Sequence, residues 1–152
     1  MINLIAADSF TRRSLMYRKL AGASFSEVGG GATASDFRNE PGQAIRCGLL
    51  DLSLLPRVAY RGSNTQALLH AAGLPVPVVP NQADIAPSGE LVLRLSQNEF
   101  WVLADPTNYS ASVDIVTRIE LPETDCYPLY CQDSHAWLAL TGVHLSEIMA
   151  KI

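Results

Sequence analysis

At 152 residues, 48% of them hydrophobic, the chain is long enough for one domain with a real core and too apolar for disorder. Its net charge of −4 is uneven, with six Lys/Arg against four Asp/Glu in residues 1–46 and five against eleven in residues 47–152. A nucleic-acid footprint would need basic residues gathered on one face, so an acidic body with a mildly basic arm fits protein partners better.

No apolar run approaches the roughly 20 residues of a membrane-spanning helix, and Asp8 with Arg12-Arg13 interrupts any secretory pattern. Three cysteines, Cys47, Cys126 and Cys131, cannot all pair. The expectation is a cytoplasmic protein with free thiols and no structural disulfide.

Taken in chain order, Ser9 is placed to cap a helix over Thr11–Leu20, stopped by Gly22. Guanidinium forks suit carboxylate or phosphate, but adjacent helical residues point about 100° apart, so Arg12-Arg13 reads as a solvated or interfacial face rather than a joint clamp. Phe25–Val28 reads as a short strand. Gly29-Gly30-Gly31 reads as a turn, since a phosphate cradle would need GxGxxG spacing or the P-loop lysine and hydroxyl. Glu40–Cys47 gives one or two helical turns, with Pro41 tolerated near the start. Residues 1–46 thus form an arm with a helix and a glycine-rich turn, ahead of an α+β domain over 47–152.

From Cys47 to Gly73 several local signals agree. Leu49-Leu50-Asp51-Leu52 is an apolar run with one acid, Leu54-Leu55-Pro56 makes a corner, and Arg57–Tyr60 alternates as a half-buried strand does. Gly62 ends that strand, Ser63 or Asn64 can cap, and Ala67, Leu68 and Ala71 fall at helical spacing before Gly73. Asp51 is expected to cap a turn by accepting backbone N–H bonds rather than to hold a ligand.

Leu74–Pro87 carries four prolines and reads as an extended connection, either a crossover over the domain's own surface or a docking strap for a partner. Leu91–Leu95 and Glu99–Leu103 flank Ser96-Gln97-Asn98 as a hairpin. Ala111–Glu120 has helical spacing, Glu123-Thr124-Asp125 marks a turn into a strand at Tyr127–Cys131, Ala136–Leu140 is the last strand, and Leu145, Ile148 and Met149 face one side of a closing helix.

Laying Gly62 over Gly142 superimposes Val58-Ala59-Tyr60 on Leu138-Ala139-Leu140 and Leu68-Leu69 on Ile148-Met149, a faint repeat of strand, glycine and helix. Two such units packing helices on one face of a shared antiparallel sheet would give a two-layer α+β domain.

Isolated chemistry is sparse. Cys126, Cys131 and His135 give C-x4-C-x3-H, which lacks the second close pair of a zinc site, and residues five apart on a strand diverge, so ordinary buried thiols are the better reading. His70, His135 and His144 are scattered, with no serine or cysteine placed to form a triad. Trp101 and Trp137 fall in strands and read as core residues, or as interface anchors if exposed.

Gly48-Leu49-Leu50-Asp51-Leu52-Ser53 resembles the Gly-Leu-Phe-Asp-Leu/Val-Ser run of the glycine-cleavage T-protein (aminomethyltransferase) superfamily. The resemblance runs on through Leu74-Pro75-Val76-Pro77, Pro80-Asn81, Gly89–Phe100, Tyr127-Pro128 and Leu138–Gly142, covering roughly residues 10–152. The Leu-Pro-Val-Pro and Pro-Asn pieces are most similar to the gamma subunit of heterotetrameric sarcosine oxidase, a bacterial oxidoreductase.

The resemblance implies the superfamily's folate-binding α+β fold, two-layered, mostly antiparallel, with helices on one face. It also implies a catalytic aspartate in a Gly-Gly-Ile-x-Asp-Asp-Leu motif just before a strand, able to stabilise developing positive charge. Here that aspartate pair falls on Ser88-Gly89, neither of which carries charge. The nearest acids are Asp84, upstream on the proline loop, and Glu90, one place inside the strand. The family's folate-gripping glutamate and arginine would lie beyond Ile152.

The expectation is therefore a non-catalytic assembly subunit with no catalytic residue, metal or cofactor of its own. Larger sarcosine oxidase-like partners would carry flavins and NAD, with tetrahydrofolate the ligand that the fold implies. The alternatives are a stand-alone folate-binding protein using Glu90 or Asp84, and an independent homodimer.

Overall fold

The computed structural model describes residues 9–14, 16–20, 22–37, 40–108, 119–121 and 124–152. The chain divides into two units, Met1–Leu54 with His135–Ile152, and Leu55–Ser134.

In the second unit, β4 (Arg57–Arg61) leads through Gly62 into α2 (Thr65–Ala71), followed by β5 (Gln82–Ile85), β6 (Leu91–Arg94), β7 (Glu99–Leu103) and β8 (Tyr127–Leu129). These strands form one antiparallel sheet in the order β5-β6-β7-β4-β8. Register lines up Val58, Val102 and Val92 in one row and Tyr60, Phe100 and Arg94 in the next. Leu69 joins Phe100, Val92 and Val102 in one buried cluster, and Leu68 joins Tyr60 and Cys126 in another, so α2 lies on this face. Fully burying each such side chain contributes about 1.5–3 kcal/mol.

Helix α2 ends as its sequence asks. Gly73 has φ 73°, its N–H donates to the His70 carbonyl, and the Leu74 N–H reaches back to the Leu69 carbonyl. That is a Schellman closure, with Leu74 and Leu69 in the same core cluster. At its start Asn64 holds the cap position without a side-chain cap, and its amide NH2 donates to the Thr124 carbonyl.

In the first unit, β1 (Ser24–Val28) and β2 (Gly31–Asp36) form a hairpin turning at Gly29 and Gly30, both at positive φ as a two-residue primed turn requires. The triple glycine is a turn. α1 (Glu40–Cys47) runs into β3 (Gly48–Asp51), which pairs antiparallel with β9 (Leu138–Thr141); α3 (Leu145–Met149) follows.

Several expectations need correction. No helix spans Thr11–Leu20: Arg13 bridges Ala32, and only Tyr17–Lys19 makes a 3₁₀ turn. The Ser14 hydroxyl accepts the Met16 N–H and donates to Asp51, offering the backbone an alternative to the helix. The proline connection contains an edge strand, β5. Strand β8 is shorter than Tyr127–Cys131, and β9 starts two residues later than Ala136. The helix expected over Ala111–Glu120 falls mostly outside the described residues.

The repeat holds locally, but its two copies do not share a sheet. The β4–β8 register (Ala59 with Leu129, Tyr60 with Pro128, Arg61 with Tyr127) repeats as the β9–β3 register (Ala139 with Leu50, Leu140 with Leu49, Thr141 with Gly48). The flanking bonds repeat too: Arg57 N–H donates to Gln132 Oε1, and Trp137 N–H to Ser53 Oγ. Each copy has given its first strand to the other, so the strand–glycine–helix piece of one copy pairs with the leading strand of the second.

Gly62 makes this closure possible. It has φ 149°, and a Cβ there would stand 2.0 Å from the Asp125 carbonyl oxygen. Gly142, at φ 112°, would meet the Arg46 carbonyl at 2.5 Å. Gly62→Ala should lower unfolding free energy by at least about 2 kcal/mol, and Leu69→Ala by about 2–5 kcal/mol. Ile85→Ala, on an exposed edge residue, should stay within about 0.5 kcal/mol. Urea denaturation midpoints of the three variants check this ranking.

Candidate functional site

The turn between β5 and β6 holds Ser88-Gly89, the pair on which the motif resemblance sets its expected carboxylates. It is closed by two backbone bonds, Ala86 N–H to the Glu90 carbonyl and Gly89 N–H to the Ala86 carbonyl. Gly89 sits at φ 102°, and a Cβ there would stand 2.3 Å from Asp105 Oδ2. No aspartate fits at 89 without displacing Asp105 and straining the backbone. Ser88 is uncharged, and its hydroxyl is spent on Glu90 Oε2.

Glu90 lies one residue before β6 rather than inside it, and it is fully buried. Its Oε1 has no hydrogen-bond partner among the described residues. A buried carboxylate oxygen without a donor costs free energy, and such groups mark either strain or a place for a ligand's N–H. Asp84, by contrast, is in the edge strand β5 opposite Val92 and exposed to solvent. The two acids therefore stand in different surroundings, and only Glu90 borders the turn from inside.

Asp105, across from Gly89, accepts both the hydroxyl and the N–H of Thr107 at 2.7 Å. Those bonds hold its carboxyl below the ordinary range.

Two buried arginines escaped the sequence reading. Arg94 donates to the carbonyls of Pro77, Val78 and Gln97 at 3.0, 2.6 and 2.9 Å, and its guanidinium lies 5.1 Å from the Phe100 ring centre. It binds the proline segment to the β6–β7 turn. Arg57 donates to the carbonyls of Cys131 and Gln132 at 3.0 and 2.6 Å. The alternation Val92-Leu93-Arg94 put Arg94 on the same face as Val92, which was the available signal for its burial.

The remaining candidates resolve individually. Cys126 Sγ lies 3.5 Å from the Thr65 hydroxyl, while Cys131 Sγ donates to the Arg57 carbonyl, so the two thiols have different partners. Among the described residues no three His, Cys, Asp or Glu side chains gather to hold a metal ion. Asp51 accepts the Ser53 N–H at 2.9 Å and the Ser14 hydroxyl, which makes it a turn cap tying the N-terminal segment to β3. Arg12 donates to the Gly29 carbonyl and Arg13 stacks over Tyr17, so they form no joint clamp. His70 and His135 are exposed, and His144 sits 3.3 Å from Glu147. Half-buried Trp101 donates its indole N–H to Glu99, which also pairs with Arg61.

No helix among the described residues is long and apolar enough to cross a membrane. No protein-family model and no curated protein matches the chain. Among solved structures it is similar to the glycine cleavage system aminomethyltransferase T of Bartonella henselae, with a TM-score of 0.68 and 19% sequence identity. The match covers 92% of this chain and 43% of that one, so the chain spans less than half the length of its structural neighbour. The fold is α+β, built of mostly antiparallel sheets, and resembles that of this aminomethyltransferase.

Burial pushes the Cys131 thiol up, with Arg57 offsetting part of the effect. It also pushes up Tyr60, aided by the two nearby thiols. Both groups would ionise first in the unfolded chain. Their contribution is intact below the ordinary thiol range and declines as pH rises through it. Unfolding free energy should therefore fall above about pH 8.5, read by urea titration at several pH values. Ellman's reagent should titrate exposed Cys47 quickly in the native protein and all three thiols only after denaturation.

Proposed function

We propose that this chain is a non-catalytic assembly subunit carrying a T-protein-type fold, working beside larger flavoprotein subunits in the manner of sarcosine oxidase gamma. The observation that carries this reading is Gly89. Where the resembled family places its catalytic carboxylate pair, this chain has a serine committed to Glu90 and a glycine at positive φ whose added Cβ would collide with the Asp105 side chain.

In such a complex the larger subunits oxidise the N-methyl group of sarcosine with their flavins, reduce oxygen to hydrogen peroxide, and pass the one-carbon unit to tetrahydrofolate, leaving glycine. This subunit contributes surface. The exposed apolar residues Val78, Val79 and Ile85, beside the arginine-held proline segment, support a docking role.

A second reading is kept because of one observation: Glu90 Oε1 is buried and without a donor among the described residues. In that reading the fold takes tetrahydrofolate itself, and Glu90 accepts from an N–H of the bound ligand.

Isothermal titration of the full chain with tetrahydrofolate, with Glu90→Gln as control, separates the two. Under the assembly reading neither protein gives saturable micromolar binding, and the chain co-elutes with co-expressed sarcosine oxidase-type large subunits. Micromolar binding that weakens at least tenfold in Glu90→Gln, together with failure to co-elute, would replace it by the second.

A further inference from the structure

Glu90 is carried into the interior by the sheet rather than by a charged partner. On β6, Val92 packs with Leu69 of α2 and Arg94 lies over Phe100, and the period-2 alternation of a strand puts Glu90 on that same face. Extending the ladders by one pair sets it between Ala86 on the β5 side and Ala104 on the β7 side, both buried. Neither alanine offers a side-chain donor. Their backbone donors are already engaged, Ala86 N–H by the Glu90 carbonyl and Ala104 N–H by the Pro56 carbonyl. Arg94, the cation on the same strand and face, is committed to the carbonyls of Pro77, Val78 and Gln97. Glu90 Oε1 is left without a donor among the described residues.

The turn above this carboxylate is lightly held. Pro87 and Ser88 are exposed, and Gly89 is half-buried against Asp105. Two backbone bonds and the Ser88 hydroxyl on Glu90 Oε2 close it. Opening the turn gives up little buried surface at Pro87 and Ser88, yet it returns both Glu90 oxygens to water. A buried polar atom without a partner carries its desolvation cost in the closed state and none in the open one.

We propose that the β5–β6 turn is a gate whose closed state is held at raised free energy by Glu90 Oε1. The turn opens ahead of the sheet and delivers the Glu90 carboxylate to solvent while β6 and β7 stay paired. Ser88 is the latch, since its hydroxyl is the one donor that Glu90 keeps in the closed state. Segments of low local stability are the ones from which binding loops and lids are drawn. The gate depends on neither functional reading, because it concerns when Glu90 becomes reachable and not what meets it.

Native-state hydrogen exchange of the full chain tests it. The amides to follow are those of Ala86 and Gly89, which bond across the turn, and that of Leu93, which faces β7 because amides alternate along a strand and Leu95 N–H donates to Glu99. In sub-denaturing urea, exchange at Ala86 and Gly89 should barely change, as a local opening exposes little surface, while exchange at Leu93 should climb. Glu90→Met, an apolar chain of similar length, should raise protection at Ala86 and Gly89 about 10-fold. Glu90→Gln, which keeps an oxygen for Ser88, should shift it in the same direction. Ser88→Ala, which strips the remaining donor, should lower it about 10-fold. That loss should vanish when Ser88→Ala is made in the Glu90→Met background.

Exchange at Ala86 and Gly89 that rises with urea as steeply as at Leu93 would overturn the proposal, because the turn would then open only with the sheet. Turn protection left unchanged or reduced in Glu90→Met would overturn it too. So would a Glu90→Met protein that loses its Leu93 protection, since the carboxylate would then be holding the fold together. None of these readouts uses tetrahydrofolate or a flavoprotein subunit, so they stand or fall apart from the titration and the co-elution.

Discussion

The approach of two backbones at a residue without a Cβ is the constraint on which both units depend. At Gly62 the chain passes the Asp125 carbonyl so closely that any side chain would overlap it, and at Gly142 the same passage is made against Arg46. Each passage lets a strand turn directly into a short helix while the leading strand of the other copy lies alongside. The register on both sides of the passage is thereby fixed, and with it which residues face the core. Tyr60 of β4 lies opposite Phe100 of β7, which in turn lies opposite Arg94 of β6.

The second unit shows how a polar group can organise an apolar layer. Arg94 stands in a row of core residues, yet its guanidinium is occupied by carbonyls of the proline segment and of the β6–β7 turn. Prolines lack backbone donors, so a segment rich in them presents carbonyls that need partners from elsewhere. One buried arginine supplies several at once. Glu90, at the other end of β6, is supplied only in part, by Ser88. The two ends of one strand thus differ: one charge is fully used, and the other keeps an oxygen in reserve.

Much of this architecture was legible in the residues, because local signals and tertiary demands coincide there. The triple glycine after Phe25–Val28 reads as a turn on chain chemistry alone, although the strand Gly31–Asp36 that follows it does not, and Gly73 closes α2 because the preceding leucines set the helical phase. What was not legible depends on distant groups. The helix expected over Thr11–Leu20 is lost because Ser14 engages Asp51, 37 residues away, which no local window contains. β5 was hidden by flanking prolines that are tolerated because the strand is an edge. The candidate turn was half visible: the uncharged Ser88-Gly89 pair could be read from the sequence, whereas the burial of Glu90 follows from packing around the turn.

The exchange of leading strands also orders events on the ribosome. β3 pairs with β9 across residues 52–137, an interval that contains the whole second unit. During synthesis the segment 55–134 emerges and can close its own sheet while Leu49 and Leu50 still wait for their partner. Long-range pairing is entropically expensive to close, so the first unit is the late-forming one. A nascent chain of this protein therefore carries Leu49 and Leu50 from early in translation and pairs their strand only once Leu138–Thr141 has emerged.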